Sequence, residues 1–376
     1  MTQKTILHIS KYYYPEEGGI ETVARYLAEG LREFRNIVVC FARKGKTRMD
    51  TINGICVYRI APFCRISSQD ICFSYGRILR KICHENHPYL ALIHCPNPFV
   101  YPITLHAVPQ DCKVALLWHS DILNKGSLYN VVRPLERHIL RKADLILATS
   151  PNYIDPSSPI YKYRDKIRVL QNGVVTSSLD LREGDRDAIE KIRDKYDNDP
   201  LILFVGRHIP YKGIDCLIKS AKYLRHDAKI LIAGRGPETE HLKQLSKGND
   251  HIVFLGRIDN DQLRQYYYAS QIFGFSSITK QEAFGVALAE AMYCGCVPVT
   301  FQIQGSGVNW VNEKRVTGEE VPLKDVHAYA QAIDQILDDS QLYQRYKEAS
   351  MLRIRKHFTD KMAVDTARNI IGELLE

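Results

Sequence analysis

Short β-branched runs alternate with longer amphipathic stretches from one end of the chain to the other, and this alternation limits the fold more than any other feature. In the first half the runs are KTILHIS, NIVVCFA, GICVYRI, LALIHC, KVALLWHS, DLILATS and IRVLQNG. A second series follows the charged stretch 180–199: LILFVGR, KILIAGRG, HIVFLGR, QIFGFSS and CVPVTFQ. Apolar runs without a polar face suit strands buried on both sides, and helical patterns between them, such as Glu21 to Phe34 and Tyr129 to Lys142, supply the covering layers. The expectation is an α/β protein of two doubly wound, Rossmann-like domains facing each other across a deep cleft. The boundaries are expected at 1–175, 176–358 and a terminal helix, 359–376, that returns to the first domain. At 376 residues the chain is also longer than one hydrophobic core usually supports.

Composition narrows the class. Hydrophobic residues make up 45% and charged residues 25%, which suits a water-soluble globular protein, and no apolar run is long enough for a membrane span. The opening MTQKTILHIS reads as a first strand rather than a secretion signal. Ten cysteines are scattered through apolar runs with no C-x-x-C pair, as expected of reduced thiols in a cytoplasmic protein. The charge is uneven: residues 1–180 hold 24 Lys and Arg against 15 Asp and Glu, and the remainder 27 against 28. The basic faces Arg43-Lys44-Lys46-Arg48 and Arg133, Arg137, Arg141, Lys142 point to a phosphate-bearing substrate or an anionic membrane surface. Nucleic acid is disfavoured because no binding motif accompanies the charge.

Polar and glycine residues gather after the strands, where open parallel sheets bind ligands. Gly18 and Gly19 follow the first strand, His119 ends KVALLWHS, Arg207 closes LILFVGR, and Gly234 and Gly236 follow KILIA. Ile258 follows HIVFLGR, and Glu282 follows QIFGFSS. Glu282 and Glu290 lie eight positions apart around a loop-to-helix junction. Eight helical positions span about 12 Å, too far for one metal ion or one glycosidic bond. That spacing suits the two ends of one long ligand, with the amides around Phe284, Gly285 and Val286 at a helix start to receive an anion between them. A nucleotide-diphosphate sugar has this shape, with Glu282 at the sugar and Glu290 at the ribose. Arg207 and Lys212, in GRHIPYKG, offer two cations to a diphosphate and make a metal unnecessary. The D-x-D matches at Asp185/Asp187, Asp197/Asp199 and Asp259/Asp261 read better as helix caps than as metal ligands. AGRGPETE lacks the third glycine of a dinucleotide fingerprint, so a nicotinamide cofactor is not expected.

GGIE after the first strand, the His of WHSD, Asn172-Gly173, GR-x4-KG, G-x-GP and E-x7-E resemble, in this order, the retaining glycosyltransferases of family 4 with the GT-B fold, and ATSPNY and GSGVNWVNEKRVTG resemble bacterial members that build surface polysaccharides. The resemblance implies hexosyl transfer from a UDP- or GDP-linked donor to a saccharide, in particular a lipid-linked glycan, without a metal or other cofactor. It implies diphosphate binding by Arg207 and Lys212, ribose binding by Glu290 and sugar contacts from Glu282. Ile258 would border the base, Gly18 and Gly19 would cover phosphate, and His119 would lie by the anomeric centre. A cytoplasmic location, with contact to the inner face of the plasma membrane, goes with this reading. Two departures stand out: Val175 replaces a common Asp, and Gln304-Gly305-Ser306-Gly307 replaces a common Gly-Gly pair. The alternatives are a GT-B epimerase or hydrolase of nucleotide sugars, and a non-catalytic sugar-nucleotide-binding protein.

Overall fold

The computed structural model describes residues 3–16, 18–66, 69–122 and 128–376. The chain divides into two compact units, one of residues 1–172 with 360–376 and the other of residues 173–359.

The strands of the first unit are β1 Thr5–Ile9, β2 Arg35–Phe41, β3 Arg48–Ile52, β4 Ile55–Ile60, β5 Cys64–Ile66, β6 Gln69–Ile71, β7 Leu90–Cys95, β8 Lys113–Trp118, β9 Leu145–Ala148 and β10 Ile167–Val169. Eight of them form a sheet in the order β10-β9-β8-β7-β1-β2-β4-β3, while β5 and β6 pair separately as an antiparallel hairpin. All pairings in the large sheet are parallel except β3 with β4. The apolar runs explain this topology. Every residue of β1 and β7 is buried, as in a strand covered on both faces by crossover helices. The antiparallel β3, RMDTI, is a charged edge strand that the run-and-helix pattern did not announce.

The second unit has β11 Leu201–Val205, β12 Lys229–Ala233, β13 Ile252–Gly256, β14 Ile272–Phe275, β15 Val297–Phe301 and β16 Glu319–Val321, all parallel, in the order β13-β12-β11-β14-β15-β16. Its core lies on both faces of this sheet. Leu203, Phe273, Leu288 and Met292 are packed on one side, and Ile202, Leu217, Ile230 and Ile333 on the other.

The terminal helix Asp360–Leu375 packs with the first unit. Val364 meets Gly30 so closely that a Cβ there would lie 2.5 Å from the valine methyl; Arg368 pairs with Glu33, and Lys4 donates to the carbonyl of Leu375. The first helix runs Gly19–Gly30, shorter than the expected Glu21–Phe34. The Leu31 N–H bonds to the Leu27 carbonyl and the chain then turns toward β2. All ten cysteines are free thiols. Among the described residues no helix is long and apolar enough to cross a membrane.

Of the three D-x-D segments expected to be helix caps, only Asp259/Asp261 provides one; Asp185 instead pairs with Arg264, and Asp199 lies 3.7 Å from the Lys229 ammonium. Asp259 caps the helix Asn260–Ala269 in a capping box with Gln262. Asp185 takes two bonds from the buried Arg264 guanidinium, at 2.8 and 3.1 Å, and a third from the Arg182 amide. The Arg264 hydrogen bonds hold the Asp185 carboxyl far below the usual carboxylate range. Arg264→Ala leaves that carboxylate buried and unpaired, and urea unfolding is expected to show a loss of about 3–5 kcal/mol. Because the folded carboxyl titrates below its unfolded value, the pair's stabilisation is present above about pH 4 and is lost as the pH falls; the deficit of the variant is therefore expected to be largest at neutral pH and to shrink in acid.

Candidate functional site

In the second sheet the chain moves outward from β11 through β12 to β13, then returns to the other side of β11 as β14 and continues to β15. The direction of winding reverses between β11 and β14, and at such a point the two flanking loops diverge and leave a crevice at the strand ends. Arg207 and Lys212 follow β11, and Glu282 follows β14. The switch point thus has two cations on one lip and a carboxylate on the other.

The lips touch. The Lys212 ammonium forms an ion pair with Glu282 Oε2, both side chains being nearly buried, and Ser277 Oγ donates to the same carboxylate oxygen over 3.1 Å. The lysine also lies over the Phe275 ring, 5.3 Å from its centroid. Two local features aim it there. Pro210–Lys212 is a single 3-10 turn closed by Gly213 at φ +59°, and a Cβ on Gly213 would lie 2.2 Å from the Ser276 carbonyl. Ser276 Oγ in turn donates to the Lys212 carbonyl. Only glycine lets the two loops approach this closely. Arg207, by contrast, is exposed.

Gly234 and Gly236 serve a related purpose. A Cβ on Gly234 would fall 1.9 Å from the Gly206 carbonyl, and one on Gly236 would fall 2.2 Å from the His208 carbonyl. These glycines press the loop after β12 onto the loop after β11, joined by the bonds Gly206 N–H to Ala233 O and His208 N–H to Arg235 O. Ile258, just after β13, is partly buried and packs against the core.

The two glutamates are arranged differently from the expected helical spacing. The helix is Val286–Tyr293, so Glu282 precedes it by four residues and Glu290 lies one turn inside. The break comes from Gly285, the N-cap residue at φ +85°. The 12 Å helical span therefore does not describe this pair. Glu290 accepts from the Tyr267 hydroxyl at 3.0 Å, and burial pushes its carboxyl up to about 7 against the opposing effect of that bond. Phe284 turns its ring into the core against Phe358, which leaves only its backbone for a ligand, and Val286 opens the helix. The loop Gln304–Gly307 holds Glu282 from behind: Ser306 Oγ donates to the Glu282 carbonyl, and the Gly307 amide bonds to Ala283.

Gly18, Gly19 and His119 belong to the first unit. Gly18 is the extended N-cap of the helix Gly19–Gly30, with φ 168°, a conformation that does not itself require glycine. His119 follows β8, and its Nε2 lies 3.2 Å from His94 Nδ1 with the rings stacked; His94 stacks in turn on His8. Burial lowers the His119 pKa to about 3, so its imidazole is neutral near pH 7. Ser277, Ser306, Tyr267 and His94 were not expected. For three of them the signal was position: Ser277 and Ser306 flank the glutamate loop, and His94 is the penultimate residue of β7, which pairs with the strand that His119 follows.

Two family models cover most of the chain: Glycosyltransferase Family 4 matches residues 17–178 and Glycosyl transferases group 1 matches residues 185–353. The chain belongs to the GT-B glycosyltransferases. It is 28% identical to the O-antigen chain mannosyltransferase C of Escherichia coli over 99% of both chains. Sucrose-phosphate synthase from Thermosynechococcus elongatus superposes with a TM-score of 0.79 at 18% identity, covering 99% of each chain. Anabaena HepE in complex with UDP-glucose gives 0.78 at 16% identity, covering 98% of this chain and 99% of that one. These likenesses establish the fold of the glycosyltransferase.

The raised pKa of Glu290 makes the enzyme's stability depend on pH. Between about pH 4.3, where an unfolded glutamate titrates, and pH 7 the folded state holds a proton that the unfolded state releases, so stability falls as pH rises through this window. Glu290→Gln removes the slope. Its melting temperature is expected to match the parent's near pH 4 and to exceed it increasingly up to pH 7, a gain on the order of 2–3 kcal/mol in the stability curve.

Proposed function

We propose that this glycosyltransferase moves a hexose, with retention at the anomeric carbon, from a nucleotide-diphosphate sugar to a saccharide acceptor that is a lipid-linked glycan of a bacterial surface polysaccharide. The observation that carries the reading is the Lys212–Glu282 pair at the switch point of the second sheet. A diphosphate brings two negative charges to a lysine that now has one carboxylate. It can take over the ammonium, with the exposed Arg207 as a second cation, and free Glu282 to accept from hydroxyls of the donor sugar.

The amides at the start of the helix Val286–Tyr293 supply further donors to phosphate oxygens. Glu290, behind them, would accept from the ribose hydroxyls, and Ile258 would border the base. Leaving-group charge would then be neutralised by side chains and amides, so the transfer is proposed to be metal-independent; Asp185 is already engaged by Arg264, Asp259 by its helix cap and Asp199 by Lys229. In the first unit, which would hold the acceptor, neutral His119 would hydrogen-bond near the anomeric centre, and Gly18 and Gly19 would cover phosphate. The HepE structure contains UDP-glucose, and the Escherichia coli relative is named for mannosyl transfer in O-antigen. The first supports a nucleotide-linked hexose as donor, and the second a surface glycan as the product's destination.

Lys212→Ala tests the reading. Calorimetric titration with UDP- and GDP-hexoses is expected to find one donor that binds the parent, and the variant is expected to lose about 100-fold or more in kcat/KM with that donor. Unchanged turnover in the variant would remove the diphosphate clamp from the mechanism.

A further inference from the structure

Three histidines stand on neighbouring strands of the first unit: His8 in β1, His94 in β7, and His119 directly after β8. His8 pairs with Leu92, two residues before His94, and His94 pairs with Leu117, two residues before His119. Residues two apart along a strand share a face, so the three imidazoles form a row on one side of the sheet that ends at its carboxyl edge. Their centroids are 5.9 and 5.4 Å apart. Burial is graded along the row, with His8 0% exposed, His94 1% and His119 7%. Only the last ring is open to a ligand.

The partners of each nitrogen place the protons. Asn36 Nδ2 donates to the carbonyls of Leu31 and Phe34, so Asn36 Oδ1 is an acceptor and His8 Nε2, 3.0 Å away, is its donor. Burial lowers the pKa of all three imidazoles, so each is neutral near pH 7. One hydrogen then lies between His94 Nδ1 and His119 Nε2, which are 3.2 Å apart, and the two rings are within 12° of parallel. His94 Nε2 is buried with no partner among the described residues. Orphaned N–H groups are rarer in folded proteins than under-used acceptors, so this nitrogen is the bare one and His94 Nδ1 carries the hydrogen. His8 follows the same rule, since its unpartnered Nδ1 is bare while Nε2 donates. His119 Nε2 therefore accepts, and neutral His119 keeps its own hydrogen on Nδ1. The His119 amide also bonds to the Cys95 carbonyl, so β7 holds both the backbone and the ring of this residue.

We infer that His94 is a positioning residue: by donating from Nδ1 to His119 Nε2 it fixes the Nδ1–H tautomer of His119 and makes that residue a hydrogen-bond donor to the ligand. A His119 held in this way can grip an oxygen of the sugar or of the leaving phosphate. It has no lone pair left with which to take the acceptor's proton. The inference rests on the proposed function only in giving His119 a ligand near the anomeric centre.

Nitrogen-15 NMR of the full-length protein labelled in its histidine rings tests it, because a protonated and a bare ring nitrogen resonate far apart; the His119 signals are assigned by their loss in His119→Phe. In the parent His119 is expected to be protonated at Nδ1 and His94 bare at Nε2. In His94→Leu, His119 is expected to revert to the Nε2–H form usual in water, and kcat/KM for transfer to fall about 10-fold or more. His94→Asn puts an amide N–H where Nδ1 stood, and is expected to restore the tautomer and most of the transfer, which a merely structural role would not do. An Nε2–H form of His119 in the parent, an unchanged tautomer in His94→Leu, or transfer by His94→Asn no faster than by His94→Leu would overturn the inference. The NMR measurement needs no substrate, so a parent with the expected tautomers that transfers no hexose counts against the proposed function alone.

Discussion

The Lys212–Glu282 ion pair is the contact on which the proposed donor site of this glycosyltransferase depends. It joins loops 70 residues apart in sequence, and it can form because the second sheet reverses its winding between β11 and β14. Both side chains are nearly buried, where a charge left without a partner is costly. Each partner satisfies the other's charge, and in the proposed reading a ligand would have to replace what each gives up. An anion would answer the lysine, and hydroxyl groups would answer the carboxylate. A diphosphate joined to a sugar has both.

The glycines around the pair act through distance. Gly213 lets the turn after β11 lie against Ser276, and Gly234 and Gly236 let the loop after β12 lie against Gly206 and His208. Each contact would be broken by one methyl group. Three loops from three neighbouring strands are thereby stacked at the carboxyl edge of the sheet, and Lys212 is held between Glu282 and the Phe275 ring. In the proposed reaction such preorganisation would lower the reorganisation that a developing phosphate charge requires.

The fold was largely legible because parallel strands buried on both faces leave uninterrupted apolar runs, and every such run became a strand of one of the two sheets. The pieces that escaped notice lack that signature. β3 is charged and lies on an edge, β5 and β6 have three residues each, and β16, EEV, carries two acids. Within the site, Lys212 and Glu282 stood out by residue type and by following strands. That they bind each other was not legible, since sequence spacing does not report which strand ends are neighbours across a switch point. The helical reading of Glu282 and Glu290 failed for a local reason: Gly285 adopts a positive φ and delays the helix to Val286. Tyr267, the partner of Glu290, lies 23 residues away on another helix, and no periodicity could have linked them. The glycines after β12 were readable as important, but the loop-on-loop contact that requires them was not.

The most direct test of this account is a crystal structure of the enzyme with its nucleotide-diphosphate sugar, or with a non-transferable analogue of it. The account expects diphosphate oxygens within hydrogen-bonding distance of Lys212 Nζ, with the Glu282 carboxylate released from the lysine and turned to the sugar hydroxyls. A bound donor beside an intact Lys212–Glu282 pair would contradict it.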